Sequence, residues 1–117
     1  MANLDMREPT FLVLTALADG KKHGYALISE ADKLSQGRVT LKVATLYAAL
    51  DRLQAQGLVA AAGEEVVDGR LRRYYELTDA GAGVLGEEIA RLENNVQQAK
   101  ARLRMRPAVF SVRGASA

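Results

Sequence analysis

The middle third of the chain constrains the fold more than any other part. Apolar residues at i, i+4 and i+7 predict an amphipathic helix that begins near Leu41 and ends at Gly57. The apolar stripe of this helix consists of Leu46, Leu50 and Leu53. Two strands are predicted next, over 58–63 and 71–77, and Asp68-Gly69 between them is a strong signal for a tight hairpin turn. A recognition helix followed by a two-stranded wing has this order of elements, so the sequence predicts a winged helix-turn-helix that reads duplex DNA.

Two more helices are predicted before this unit. The first covers about 9–18, with Pro9 in its first turn, and it is apolar nearly all round, so it should lie centrally. The second runs to about residue 34, and its apolar face consists of Leu27, Ile28, Ala31 and Leu34. The predicted fold is therefore mainly α with a small β-hairpin, followed by a long C-terminal helix that starts after Thr78, its expected N-cap.

Composition excludes several classes of protein. A chain of 117 residues is long enough for one domain with its own core, and it has no cysteine, which excludes disulfides and thiolate metal sites and fits a reducing cytoplasm. No apolar run approaches the roughly 20 residues of a membrane span, and the start of the chain has no secretory signal pattern. The formal net charge is only +2, and residues 104–117 contribute three arginines and no acid. A case for DNA binding must therefore rest on local clusters of charge.

The predicted recognition helix has side chains suited to DNA. The N-terminal residues of such a helix enter the major groove, and Lys42 and Thr45 lie there, off the apolar stripe. Lysine can serve a guanine edge or a phosphate, and threonine a base edge or a phosphate. Tyr47 can donate its hydroxyl to a phosphate while its ring packs on the domain, and Arg52 also lies off the stripe. In isolation the same pattern fits an ordinary solvated face, and the neighbouring wing is what favours DNA contact.

The predicted wing carries Arg70, Arg72 and Arg73 at or just after its turn. Arginine is favoured there because wings lie along the minor groove and the phosphate backbone. All three are candidates for DNA contact. By alternation Arg70 and Arg72 share one face, so we favour these two over Arg73, for which pairing with an acid is the alternative. The alternative is a charged hairpin edge that prevents strand pairing.

His23-Gly24-Tyr25 does not indicate chemistry. A lone histidine without cysteine or a second histidine cannot build a metal site, so we expect no metal, no cofactor and no catalytic residue. We expect His23 to cap the second helix, and Tyr25 to pack on the domain and contact a phosphate. Of the adjacent Tyr74 and Tyr75, one is expected in the core and the other exposed or against the last helix.

The last helix has apolar residues at spacings of 4, 3, 4, 3 and 4, which is the a/d seam of a coiled coil. The seam consists of Leu85, Ile89, Leu92, Val96, Ala99 and Leu103. It can pack on the first helix of its own chain or pair with the same helix of a second copy, and the charged and amide residues beside it favour pairing. We expect a DNA-binding domain over 1–78, a dimerisation helix over 79–106 and a loose tail over 107–117.

Several blocks of sequence, in this order and at these spacings, resemble the PadR-like transcriptional regulators of bacteria. The blocks read REPTFLVL (7–14), HGY (23–25), TLYAAL (45–50), GL (57–58) and RYYELTDAG (73–81). The resemblance implies a homodimeric repressor that binds inverted repeats, a palindromic operator in double-stranded DNA. The single C-terminal helix is similar to that of the smaller subgroup of the family. The family also includes regulators with small-molecule effectors, but the lack of tryptophan and of aromatics in the seam disfavours a stacked planar ligand here.

The chain departs from the family pattern just before Thr45. The family usually has Ser-Pro-Gly there, and this chain has Lys42-Val43-Ala44. Without that serine we expect Thr40 to cap the recognition helix, which would then begin slightly earlier. Alanine in place of glycine changes how closely the backbone approaches DNA, and with it the target sequence.

Two other functions compete with a dimeric repressor. A winged-helix module that binds protein without specific DNA binding is favoured slightly by the nearly neutral body of the chain. A small enzyme is disfavoured, because no acid, base and nucleophile converge in the sequence.

Overall fold

The computed structural model describes residues 6–108, and this part of the chain contains four helices and a three-stranded antiparallel sheet. The elements are α1 (Glu8–Leu17), β1 (Lys22–His23), α2 (Gly24–Leu34), α3 (Val43–Ala55), β2 (Val59–Val67), β3 (Arg70–Leu77) and α4 (Asp79–Arg104). The predicted fold class is confirmed: a mainly helical chain with a β-hairpin and a long C-terminal helix. Most of the predicted tail, from residue 109 onward, lies outside the described residues.

The core lies between the first three helices and the base of the hairpin. The central position predicted for α1 is confirmed, since it buries Leu12, Val13, Leu14, Ala16 and Leu17. The predicted stripe of α3 is fully buried, and Ala49, which the periodicity put outside it, is buried as well.

One prediction for α2 is wrong, namely that Leu34 belongs to its buried apolar face. Leu34 is exposed, because the chain turns away directly after it and buries Ser35 instead. The Ser35 hydroxyl accepts a hydrogen bond from the backbone N–H of Val39 at 2.9 Å and so fixes this turn.

The hairpin has the predicted turn. Val67 lies opposite Arg70, and Asp68 and Gly69 between them both have positive φ, at 52° and 76°, as a two-residue type I′ turn requires. The first strand is longer than predicted and continues past Gly63. This glycine, with φ of 106°, lies at a register irregularity that allows the strand to bend and continue, whereas a glycine in sequence indicates a break.

The sheet has a third strand that the sequence did not predict. Lys22 pairs with Tyr75 and His23 with Tyr74, so the strand order is β1-β3-β2. Two residues are too few to show an alternating pattern. Since β1 covers only the base of β3, no strand of the described chain pairs with this edge of β3 over 70–73.

The N-terminal end of α4 is anchored to the domain. The predicted cap is confirmed: the Thr78 hydroxyl accepts from the N–H of Gly81 at 2.9 Å and donates to the carbonyl of Gly57 at 2.7 Å. A Cβ on Gly81 would stand only 2.1 Å from the carbonyl oxygen of Leu58, so the helix meets the domain backbone directly. Leu85 is buried in the core.

Beyond this anchor, α4 leaves the domain. Of the predicted seam, Leu85 packs within the chain, and the remaining residues are exposed or only half-buried. The helix ends at Arg104, two residues earlier than expected. Among residues 6–108 no helix combines the length and apolar character needed to cross a membrane.

Candidate nucleic-acid interface

A groove of about 570 Å³ lies between the hairpin and the N-terminal ends of α2 and α3. It is lined by His23, Gly24, Tyr25, Tyr47, Val67, Asp68, Arg70, Leu71, Arg72 and Arg73. The structure thus brings together five of the residues predicted to bind DNA, namely the two tyrosines and the three arginines. They come from α2, α3 and β3, which are far apart in sequence, and the short β1 leaves this side of the wing open.

Tyr47 lies against the start of α2 in this groove. Its hydroxyl oxygen would stand 2.4 Å from a Cβ on Gly24, so a side chain at this position would displace the end of the Tyr47 side chain. Its ring lies 6.5 Å from the ring of the buried Tyr75. The predicted arrangement, with the ring on the domain and the hydroxyl toward a ligand, is compatible with this geometry.

The two flanking residues of His23-Gly24-Tyr25 behave differently. The cap predicted for His23 is confirmed, since its Nδ1 accepts from the N–H of Ala26 at 3.4 Å, and its ring meets Tyr74 edge-on at 5.5 Å. The packing predicted for Tyr25 is wrong, because 67% of this residue is exposed. Its position in the first turn of α2 directs it into the groove and not to the core face, which Leu27 and Ala31 occupy.

The wing separates its charges by strand. The acids Glu64 and Glu65 lie on the outer strand β2, and the arginines lie on the central strand β3 that lines the groove. Arg73 pairs with Glu64 at 3.5 Å, which confirms that it is the arginine that meets an acid. The groove therefore presents arginine side chains and, from the turn, the single carboxylate of Asp68.

Tyr74 forms a hydrogen bond with one acid of the wing, Glu65. Its hydroxyl donates to Glu65 Oε1 at 2.7 Å, and this hydrogen bond raises the pKa of Tyr74. Glu65 lies opposite Arg72 in the hairpin, and Arg72 also interacts with the Tyr74 hydroxyl. Arg70 makes no ion pair with any residue in 6–108. Arg70 is therefore an arginine of the groove that no acid of the described wing neutralises through an ion pair.

The N-terminus of α3 differs from the prediction. Its N-cap is Lys42, with no side-chain capping bond, and the helix begins at Val43, so the predicted cap at Thr40 is wrong. The reason is that Leu41 is buried and Lys42 is extended, which keeps the chain out of the helix for two more residues. Lys42 and Thr45 are exposed at this end of α3, beside the groove residues but not lining it.

Arg52 lies apart from the other candidates. Its guanidinium donates to Thr10 Oγ1 of α1 at 3.1 Å. Arg52 is five residues after Tyr47, which places the two on different sides of α3. The structure therefore does not bring Arg52 to the groove.

Two exposed residues had no role in the sequence-based prediction of the site. The Lys21 ammonium lies 5.2 Å from the ring centroid of Tyr74, on the wing. Val43, the first residue of α3, is 52% exposed although it is aliphatic. The sequence offered only their positions as a signal: Lys21 lies just before the HGY block (23–25), and Val43 just before the TLYAAL block (45–50).

Comparisons with known proteins agree with this architecture. The model of the Transcriptional regulator PadR-like family matches residues 13–87. The chain is 41% identical over 81 residues to Transcriptional regulator Rv3488 of Mycobacterium tuberculosis, covering 69% of this chain and 72% of the relative. A PadR family transcriptional regulator from Eggerthella lenta has a similar structure, with a TM-score of 0.66, 30% identity, and coverage of 83% of this chain and 82% of that one.

A further solved structure is Bacillus subtilis PadR in complex with operator DNA. It has a TM-score of 0.63 and 21% identity, and the match covers 71% of this chain and 47% of that chain. At this identity the likeness is one of fold.

Proposed function

The chain belongs to the PadR-like family of transcriptional regulators, and from that premise we propose that it binds an inverted-repeat operator as a homodimer and represses transcription. Its family consists of regulators and not of enzymes. The observation that carries the proposal is the groove that gathers Tyr25, Tyr47 and the arginines of β3 beside the N-terminus of α3.

In the proposed complex, α3 enters the major groove by its N-terminal end, where Lys42 and Thr45 are exposed. Arg70 and Arg72 of the wing lie against the flanking backbone and minor groove. Tyr25 and Tyr47 donate their hydroxyls to phosphates between these two regions. Bacillus subtilis PadR, which shares the fold, was solved with operator DNA, and this supports the mode of binding.

The proposed dimer forms through α4. Ile89, Leu92 and Val96 form an apolar strip on a helix that has left its own domain, and burial of such a strip is what drives helix pairing. Residues 1–78 then act as the DNA-binding domain and 79–106 as the dimerisation helix. Two copies of α3 held at a fixed separation would match the two halves of an inverted repeat.

A binding titration with DNA from upstream of the gene tests the proposal. We expect a specific complex whose affinity falls steeply with salt, because cations that contact phosphates release counterions. Replacement of Arg70 and Arg72 by alanine should weaken binding to all sequences. It should also reduce the salt slope by about 1 for each phosphate that the variant no longer neutralises.

Arg91→Ala is a control that removes one arginine away from the groove. Arg91 is an arginine of α4 that pairs with Glu88, and its removal should leave the salt slope unchanged. Absence of any salt-sensitive complex with upstream DNA would contradict the proposal.

A further inference from the structure

The first two turns of α3 present an apolar surface to solvent. Val43, Ala44 and Ala48 are all exposed, and the alanines lie opposite the buried stripe of the helix. Thr45 is the hydroxyl-bearing residue among them, and its methyl group is apolar too. This is the part of the helix that the proposed function places in the major groove.

An apolar surface in the major groove has one complementary group. Base edges there offer hydrogen-bond donors and acceptors, and the C5-methyl of thymine is the apolar group among them. An exposed valine and two alanines make no hydrogen bonds with base edges, so they gain free energy against a methyl group and lose it against polar edges that they desolvate.

The two alanines also determine how close the helix lies to the bases. Because Ala44 and Ala48 project only a methyl group from the outward face, the backbone of α3 can approach the base edges. Further along the helix Asp51 is exposed and lines a different groove with Arg73 and Glu64, and its carboxylate repels phosphate. These features confine base contact to the first two turns.

We propose that α3 reads thymine methyl groups in each half-site and that Val43 is the residue that determines this specificity. The inference rests on the proposed function, since it requires α3 to enter the major groove. Lys42 and the wing then supply affinity through phosphates, and the apolar surface selects A·T pairs whose thymine methyl faces Val43, Ala44 or Ala48.

Selection from a pool of random duplex DNA with the full chain, followed by thymine-to-uracil replacement in the enriched site, tests the inference. Uracil keeps every hydrogen bond of thymine and lacks only the methyl group. We expect affinity to fall about four-fold for each contacted methyl, the effect of burying one CH₂-sized group, and about 16-fold when both half-sites are changed.

Val43→Ala should remove most of the difference between thymine and uracil sites, because the shorter side chain does not reach the methyl group. The matched control is Val66→Ala, the same change at an exposed valine of the wing, which should keep the full difference. Both positions are exposed, so neither variant should unfold the chain, and a thermal melt verifies this.

The outcomes separate the two proposals. Enrichment of a specific site that binds equally well with uracil would overturn the reading of thymine methyls. Full discrimination by Val43→Ala would overturn the assignment of that reading to Val43. Either outcome would leave the proposed function standing. Failure to enrich any sequence would overturn the proposed function and the inference with it.

Discussion

Two helices of this chain have nearly the same apolar spacing and opposite surroundings. The stripe of α3 is completely buried within the chain, with Leu46, Leu50 and Leu53 each 0% exposed. The stripe of α4 starts in the core at Leu85 and then becomes exposed, to 51% at Val96 and 68% at Leu103. The periodicity predicts a helix in both cases, and it does not say what covers the apolar face.

The difference between the two helices lies in what surrounds them along the chain. α3 is flanked by α2 and by β2, and both pack on it, so its stripe has partners within one protomer. α4 is the last element of the described part of the chain, 26 residues long, and there only its first turns reach the domain. An apolar face that residues 6–108 do not cover is the basis for expecting a second copy.

The largest change in the free energy of unfolding should come from truncating a leucine in the buried stripe of α3. Leu50→Ala leaves a cavity at the centre of the core, and we expect it to lower the free energy of unfolding by about 2–5 kcal/mol. Leu103→Ala makes the same chemical change on the exposed part of α4 and should cost less than about 0.5 kcal/mol.

Chemical denaturation followed by circular dichroism measures both variants, at a protein concentration low enough to keep association out of the result. Equal destabilisation by the two variants would mean that α4 is as well packed within the protomer as α3, and the comparison would fail.

Features with a local cause could be predicted from the sequence. The stripe of α3, the turn at Asp68-Gly69 and the cap at Thr78 each depend on a few neighbouring residues, and all three are confirmed. The pairing of Arg73 with an acid was predictable as well, because strand alternation separates it from Arg70 and Arg72.

Features that depend on residues far away in the sequence could not be predicted. β1 exists only because Tyr74 and Tyr75 offer it an edge, and the exposure of Tyr25 depends on which face of α2 meets the core. The start of α3 at Val43 depends on the burial of Leu41. The groove itself joins residues from three elements, and no stretch of sequence shows which candidates will lie together.

The exposed apolar stripe of α4 should contribute to dimer formation and contribute little to the folding of one protomer. Ile89→Glu combined with Val96→Glu places two charges in the proposed seam of each copy, and we expect the dimer dissociation constant to rise more than 100-fold, equivalent to about 2.7 kcal/mol. Sedimentation equilibrium measures the constant, and helix content should stay close to that of the unmodified chain.

Asn94→Glu combined with Gln98→Glu adds the same two charges on the opposite side of α4 and serves as the control. It should leave the dissociation constant within a few-fold. If the control weakened association as much as the seam variant, net charge and not the apolar face would govern pairing.

The smallest effects on the free energy of unfolding are expected at the first turns of α4, where the helix leaves the domain. Two glycines there, Gly81 and Gly83, test which turns are packed against it. A Cβ on Gly81 would meet the carbonyl oxygen of Leu58 at 2.1 Å, whereas a Cβ on Gly83 would have no heavy atom within 4 Å. Gly81→Ala must therefore push α4 away from the domain, and we expect a loss of about 1–3 kcal/mol in the free energy of unfolding. Gly83→Ala should instead stabilise the chain by up to about 1 kcal/mol, since alanine is the better helix former and nothing opposes it.

Thermal melts of the two variants, which have the same composition, should shift Tm in opposite directions. A rise in Tm for both would show that α4 is not held against Leu58 and that the whole helix, and not only its distal part, lacks a partner within the protomer.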